Sequence, residues 1–141
     1  MRQSGIFMHI TSLPGKYGIG TMGQSAFAFV DFLKAAGQSC WQILPLSPTG
    51  FGDSPYQSCS SFAGNPYLID LDSLAQEGLL LSGEADSICW SENNRVDYGL
   101  QYAHRLPLLR KAYSRFPGSE EFDRFRRENS DWLSDFALYL A

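Results

Sequence analysis

At 141 residues the chain has the length of one ordinary domain, and 44% hydrophobic with 14% aromatic residues is enough apolar material for a core, which excludes a disordered chain. The 11 Lys and Arg against 15 Asp and Glu leave a formal charge of -4. Most of the basic residues follow residue 94, so no basic stripe is available to neutralise phosphates and a nucleic-acid partner is not expected. Met1 to Gly5 precede no long apolar run with a small-residue cleavage site, and no stretch suits a membrane span, so a cytoplasmic protein is expected. Cys40, Cys59 and Cys89 are odd in number and widely spaced, a pattern of free thiols in a reducing compartment rather than of a disulfide framework or a zinc site.

In chain order, Gly5-Ile6-Phe7-Met8-His9-Ile10 predicts a short buried strand running into a loop at Thr11-Ser12-Leu13-Pro14-Gly15. Ala26, Phe29, Val30 and Leu33 recur at helical spacing, and Gly37 is placed to end that helix. Cys40 to Leu46 reads as a second buried strand, stopped by its proline. Strand, helix and strand form one βαβ unit with parallel pairing. From Ser47 to about Asn65 periodicity is lost, and a connection of this length is uncommon unless it binds or covers something. Beyond it, a short helix near Ser73 to Glu77 is closed by Gly78. Tyr102, Leu106, Leu109, Tyr113 and Phe116 mark one face of a longer helix, which either kinks or starts at Pro107. Ser119-Glu120-Glu121 predicts another helix start, followed by a stripe of Phe122, Phe125, Asn129, Trp132, Leu133 and Phe136. The final apolar run, Phe136 to Ala141, has no capping signal and is read as an interrupted element of a longer protein.

The stretch Gly50 to Ser58 lies just beyond the second strand, where parallel sheets and barrels place ligand sites. Pro55 stiffens the backbone before Tyr56, whose flat apolar face and hydroxyl edge suit a pyranose ring; the same ring could instead plug a barrel mouth. Asp53 and Ser54 fit either turn-holding hydrogen bonds or sugar hydroxyls. Neither histidine can be placed beside Ser58, Ser60 or Ser61 as a base, so a serine triad has no support. His9, at a strand end, is open to a packing or an active-site role. Gly18-Ile19-Gly20-Thr21-Met22-Gly23 spells a dinucleotide fingerprint, yet it follows a loop rather than the strand and no Lys-Ser or Lys-Thr pair is present, so nucleotide binding is not expected. Trp90, Tyr98, Tyr102, Trp132 and Tyr139 are read as packing residues by default, with Tyr98 free to return to the loop region.

Several ordered motifs together, Gly5 to Gly20, Trp41 to Leu46, Gly52 to Ser58, Gly64 to Ile69, Val96-Asp97-Tyr98 and Asn129 to Leu133, closely resemble the start of the 4-alpha-glucanotransferase family, also called amylomaltase or disproportionating enzyme. The resemblance implies an α/β fold: the amino-terminal fragment of a (β/α)8 TIM barrel with part of an inserted, largely helical subdomain. Residues 1–50 would then hold the first two barrel strands and their helix, 51–67 the substrate-binding loop, and 68–141 the helical insertion, cut at its carboxyl end. It implies transfer of an α-1,4-glucan segment to the 4-hydroxyl of another glucan or of glucose, with retention of configuration and with neither metal nor organic cofactor. The implied partners are α-1,4-glucans and maltooligosaccharides, with glucose as acceptor. By position in the motif, Tyr56 is similar to the tyrosine that stacks on the sugar beside the bond cleaved, with Ser54 and Asp53 in the same signature. Phe51, at a position usually tyrosine, and Tyr98 would form a second glucan site. The family's catalytic carboxylates lie far beyond its first 141 residues, so no catalytic residue is assigned and the fragment alone is expected to be inactive. A non-catalytic carbohydrate-binding module and an α-glucan hydrolase are the alternatives.

Overall fold

Gly5–Phe7 (β1) and Cys40–Gln42 (β2) pair in parallel, with Ile6 opposite Trp41, and the helix Gln24–Ala35 (α1) connects them. The computed structural model describes residues 2–90 and 94–140. Both strands are shorter than their apolar runs predict. After Met8 donates to the Gln42 carbonyl (3.0 Å), the chain turns into a 3-10 helix at Ile10–Ser12 and leaves the ladder. Within this chain they are also exposed rather than buried, Phe7 by 60%, because α1 covers one face of the sheet and the other stays open. On that face Phe29 meets Trp41 edge-on at 4.9 Å, and Met8, Ala26, Ile43 and Leu46 close around buried Ile10, Leu13 and Leu68. The Trp41 indole donates to the Met8 carbonyl (2.7 Å), so even the polar edge of that ring is satisfied. Val30, expected on the buried face, points out with Phe27 and Phe32, while Leu33 is buried as its spacing predicts.

A second core belongs to the helical half. Leu71, wholly buried, packs with Tyr17, Leu80, Ala85, Trp90, Leu108 and Ala112. The helix Leu71–Gln76 (α2) starts two residues earlier than the sequence suggests because Asp70 caps it. The Asp70 carboxylate accepts from the Ser73 amide and hydroxyl, both at 2.9 Å, and from the Thr21 hydroxyl at 2.6 Å. Gly23 sits against the same carboxylate, where an added methyl would collide with it.

Burial pushes the Asp70 carboxyl up, but the Thr21 and Ser73 hydrogen bonds and the nearby Arg105 charge outweigh it and hold the group below its ordinary value. A carboxyl depressed on folding adds stability that is present above its unfolded value, near pH 4, and is lost as pH falls through the lower folded value. Urea unfolding followed from pH 6 to pH 2 is therefore expected to show a steeper loss for the wild-type chain than for Asp70→Asn, and parallel pH curves would contradict it.

One helical turn, Tyr98–Leu100 (α3), passes through a π-helical segment, Gln101–Arg105, into Leu106–Arg115 (α4). Pro107 thus stands at the start of α4, and the widened π turn lies where its missing N–H would have disrupted an α-helix. The expected apolar face is displaced. Tyr102 and Tyr113 are exposed, and the buried positions are Gln101, Arg105, Leu108 and Ala112. Two of the inward positions are therefore polar, Gln101 and Arg105, one at each end of the π segment.

Glu120–Glu128 (α5) begins as predicted, with the Ser119 hydroxyl accepting from the Phe122 amide at 3.1 Å. The stripe that follows is not continuous. At Asn129 the helix ends, its amide group donating to the Phe125 carbonyl (2.8 Å) while its side-chain oxygen accepts from the Trp132 indole (3.0 Å), and Leu133–Leu140 (α6) starts afresh. A side chain that bonds to its own backbone competes with the helix, which is why asparagine breaks the stripe here.

Candidate functional site

The carboxyl ends of β1 and β2 open into two loops that face a third segment, the entry to α3. At the end of β1, half-buried His9 accepts a hydrogen bond from the Leu44 amide through Nδ1 (3.3 Å). Burial lowers its pKa, which keeps the ring neutral and able to accept. This geometry favours the structural reading of His9: its ring ties the exit of β1 to the exit of β2.

Beyond β2 the chain forms a small hairpin. Thr49 bridges Ser58 in antiparallel fashion, and the Gly50 amide donates to the Gln57 carbonyl (3.2 Å). At the tip, Gly52 (φ 86°) and Asp53 (φ 54°) are both left-handed, a conformation that aspartate tolerates better than most side chains. The Ser54 hydroxyl accepts from the Tyr56 amide (3.4 Å), and the Ser54 carbonyl accepts from the Gln57 amide (3.0 Å), so this serine holds the turn. Tyr56 projects from the hairpin, 74% exposed, and Phe51 is fully exposed. The serines downstream are committed to local backbone: Ser58 donates to the Ser60 carbonyl (2.7 Å), and Ser60 accepts from the Phe62 and Ala63 amides.

Tyr98 does return to the loop region. It lies half-buried with its ring 6.0 Å from that of Tyr67, and with Asp53 and Arg95 it lines a pocket of about 670 Å³. Burial first, and the Asp53 charge after it, push the phenols of Tyr67 and Tyr98 up, while the Thr11 side chain beside Tyr98 opposes the rise. A smaller pocket of about 140 Å³ brings His9, Thr11, Thr49, Asn65 and Tyr98 together behind the hairpin. Asn65 fixes its far wall, its amide donating to the Leu46 carbonyl (2.7 Å) and its side chain capping Tyr67 (3.0 Å). The structure therefore gathers Asp53, Tyr98, Tyr67 and Thr11, and leaves Tyr56 and Phe51 reaching into solvent from the hairpin. Tyr67 and Thr11 were not singled out from the sequence, although Asn65-Pro66-Tyr67 carries a legible cap signal, an asparagine followed by proline at the first helical position.

Two carboxylates meet elsewhere. Asp72 and Asp86 share Lys16 (3.7 and 2.7 Å) and the Tyr17 hydroxyl, which donates to Asp72 at 2.5 Å. Lys16 pairs with both, and none of the hairpin residues lines the cleft shared by Lys16, Tyr17 and Asp72, so the cluster has the character of a surface tie between the Lys16 loop and the helical half. Among the described residues no group of three His, Cys, Asp or Glu side chains is arranged to hold a metal ion. The three cysteines are exposed free thiols, and no described helix is long and apolar enough to cross a membrane.

Comparison with known proteins gives a consistent answer. The sequence model of a family described as 4-alpha-glucanotransferase matches residues 8–141. The chain is 51% identical to a 4-alpha-glucanotransferase of Streptococcus pneumoniae, over 99% of this chain and 28% of that protein, and 48% identical to one of Thermus thermophilus over the same shares. A chloroplastic/amyloplastic 4-alpha-glucanotransferase of Solanum tuberosum is 40% identical over 99% of this chain and 26% of its own length. The solved amylomaltase from Streptococcus agalactiae in complex with acarbose superposes with a TM-score of 0.91 at 47% identity, covering 100% of this chain and 29% of that one. The chain thus spans less than a third of the length of these relatives. With matched residues running through both strands, the hairpin and the helical half, this chain belongs to the 4-alpha-glucanotransferase family.

Proposed function

We propose that this chain forms one wall of the glucan-binding cleft of a 4-alpha-glucanotransferase of full family length, which moves a segment of an α-1,4-glucan to the 4-hydroxyl of another glucan or of glucose with retention of configuration. The observation that carries this reading is the exposed hairpin Gly50–Gln57, seated at the carboxyl ends of two parallel strands in a chain that matches the family almost throughout. In the proposed division, residues 1–50 contribute the first two barrel strands, 51–67 the substrate loop and 68–141 part of a helical insertion, in a cytoplasmic enzyme. Tyr56 offers its ring face to the sugar beside the bond cleaved, Ser54 and Asp53 address its hydroxyls, and Phe51 with Tyr98 forms a second glucan contact. An aromatic face on a backbone fixed by Pro55 orients a pyranose ring at low entropic cost, which is why positioning is the task assigned to this loop.

Retaining transfer needs two carboxyl groups about 5 to 5.5 Å apart, one to attack the anomeric carbon and one to protonate the leaving oxygen. The carboxylates gathered around Lys16 are engaged by it and by Tyr17 and lie away from the hairpin, so the reacting pair is assigned to the rest of the full-length enzyme. Incubation of the full-length protein with maltotriose is expected to yield glucose plus longer maltooligosaccharides, while the purified 141-residue chain yields neither. Glucose and maltose without longer products would indicate a hydrolase. Binding of maltooligosaccharides without any product, by the full-length protein, would indicate a carbohydrate-binding module.

A further inference from the structure

Among the described residues the least exposed side chains include two polar ones, Gln101 and Arg105, both on the π-helical segment that follows Tyr98. Gln101 donates through Nε2 to the Tyr17 carbonyl (2.8 Å) and accepts through Oε1 from Arg105 (3.1 Å). The other terminal nitrogen of Arg105 donates to the Ile69 carbonyl (3.0 Å), and its Nε has no hydrogen-bond partner. Behind them stands Asp70, which attracts the Arg105 charge while it binds Thr21 and caps α2. Three hydrogen bonds in series therefore fasten three separate pieces of chain: the loop after β1 at Tyr17, the segment after Tyr67 and Leu68 at Ile69, and the helix entered at Tyr98. The same three pieces carry side chains into the clefts described above, where Thr11, Leu68 and Tyr98 meet.

A wholly buried guanidinium with one nitrogen unsatisfied is a poor choice for stability alone, since its desolvation is costly and an apolar side chain of similar size would fill the space at less expense. What a planar fork does better than any apolar group is to hold two carbonyls at fixed directions. A π turn is a local departure from the α-helix, and both buried polar residues lie at its ends. We propose that Gln101 and Arg105 are positioning residues for the transfer reaction: by clamping the Tyr17 and Ile69 carbonyls to the helix that carries Tyr98, they set the separation of the walls of the glucan cleft. The inference rests on the glucanotransferase reading. It assigns the pair no contact with substrate.

The test uses full-length enzyme and three proteins, wild type, Arg105→Lys and Gln101→Leu, with kcat and KM for maltotriose disproportionation normalised to the folded fraction from a melting curve. Lysine keeps the charge and loses the fork; leucine keeps the volume and releases Tyr17. Misaligned walls still bind sugar but hold it badly for reaction, so kcat is expected to fall about 10- to 100-fold while KM moves less than about threefold. Wild-type kcat per folded molecule in either folded variant overturns the clamp, as does failure of both variants to fold, which would make the pair a folding element. An inactive wild type would instead reject the glucanotransferase reading itself.

Discussion

Replacing Tyr56 by alanine in the full-length enzyme is expected to lower kcat/KM for maltotriose disproportionation by about 10- to 1000-fold, or roughly 1.4 to 4 kcal/mol of transition-state stabilisation. The sugar ring flattens toward an oxocarbenium-like shape during transfer and has to stay aligned with its nucleophile, so a flat contact that orients the ring counts for more in the transition state than in the ground state. Tyr56→Phe keeps the face and is expected to cost far less. Within this chain the ring is 74% exposed, with its backbone held by Ser54 and Pro55, so alanine breaks little of the chain's own packing, and for a ring that serves the sugar the melting temperature is expected to change little. A ring that only plugged a barrel mouth would give the opposite pair of results: a lowered melting temperature with activity per folded molecule near wild type. Kinetics beside a melting curve separates the two, and unchanged kcat/KM removes Tyr56 from the sugar site.

Leu71→Ala is expected to destabilise the chain by about 2 to 5 kcal/mol in urea unfolding. Leu71 has no exposed surface, and it sits where Tyr17, Trp90 and Leu108 converge from three segments far apart in sequence. Truncation removes the apolar contacts and leaves a cavity that the Asp70-capped first turn of α2 and the neighbouring rings cannot close without breaking their own hydrogen bonds. The exposed Leu138→Ala is the matched control, expected to change stability by less than about 0.5 kcal/mol. Equal effects of the two substitutions would mean that the helical core does not organise this chain.

Much of the fold was legible because it is written in local chemistry. Gly37 and Gly78 end α1 and α2 in left-handed conformations, Ser119 caps α5, and the parallel pairing of β1 with β2 follows from one strand, helix and strand in succession. The position of the hairpin beyond β2 was legible for the same reason. What was misread depended on choices between equivalent local options. The face expected from Tyr102 to Phe116 is displaced to Gln101 and Arg105, which the sequence reading did not single out, and only the carbonyls of Tyr17 and Ile69, brought from 84 and 36 residues away, give them partners inside the protein. Asn129 passed as a tolerated gap in an apolar stripe, whereas its side chain bonds to Phe125 and Trp132 and ends the helix.

The strands show the remaining division. By itself the sequence determined where most strands and helices begin, though not how far they run, and that this chain resembles the start of the glucanotransferases, since repeated apolar spacing, caps and turn residues act over a few neighbours. Burial of β1 and β2 is not such a property: it depends on how many strands and helices cover the sheet, and here α1 covers one face while Phe7 remains largely exposed. The meeting of Asp53 with Tyr98 and Tyr67 is of the same kind. Their chain separation carries no local signal, and only the folding of the hairpin and of the α3 entry against the same strand ends puts a carboxylate beside two phenols.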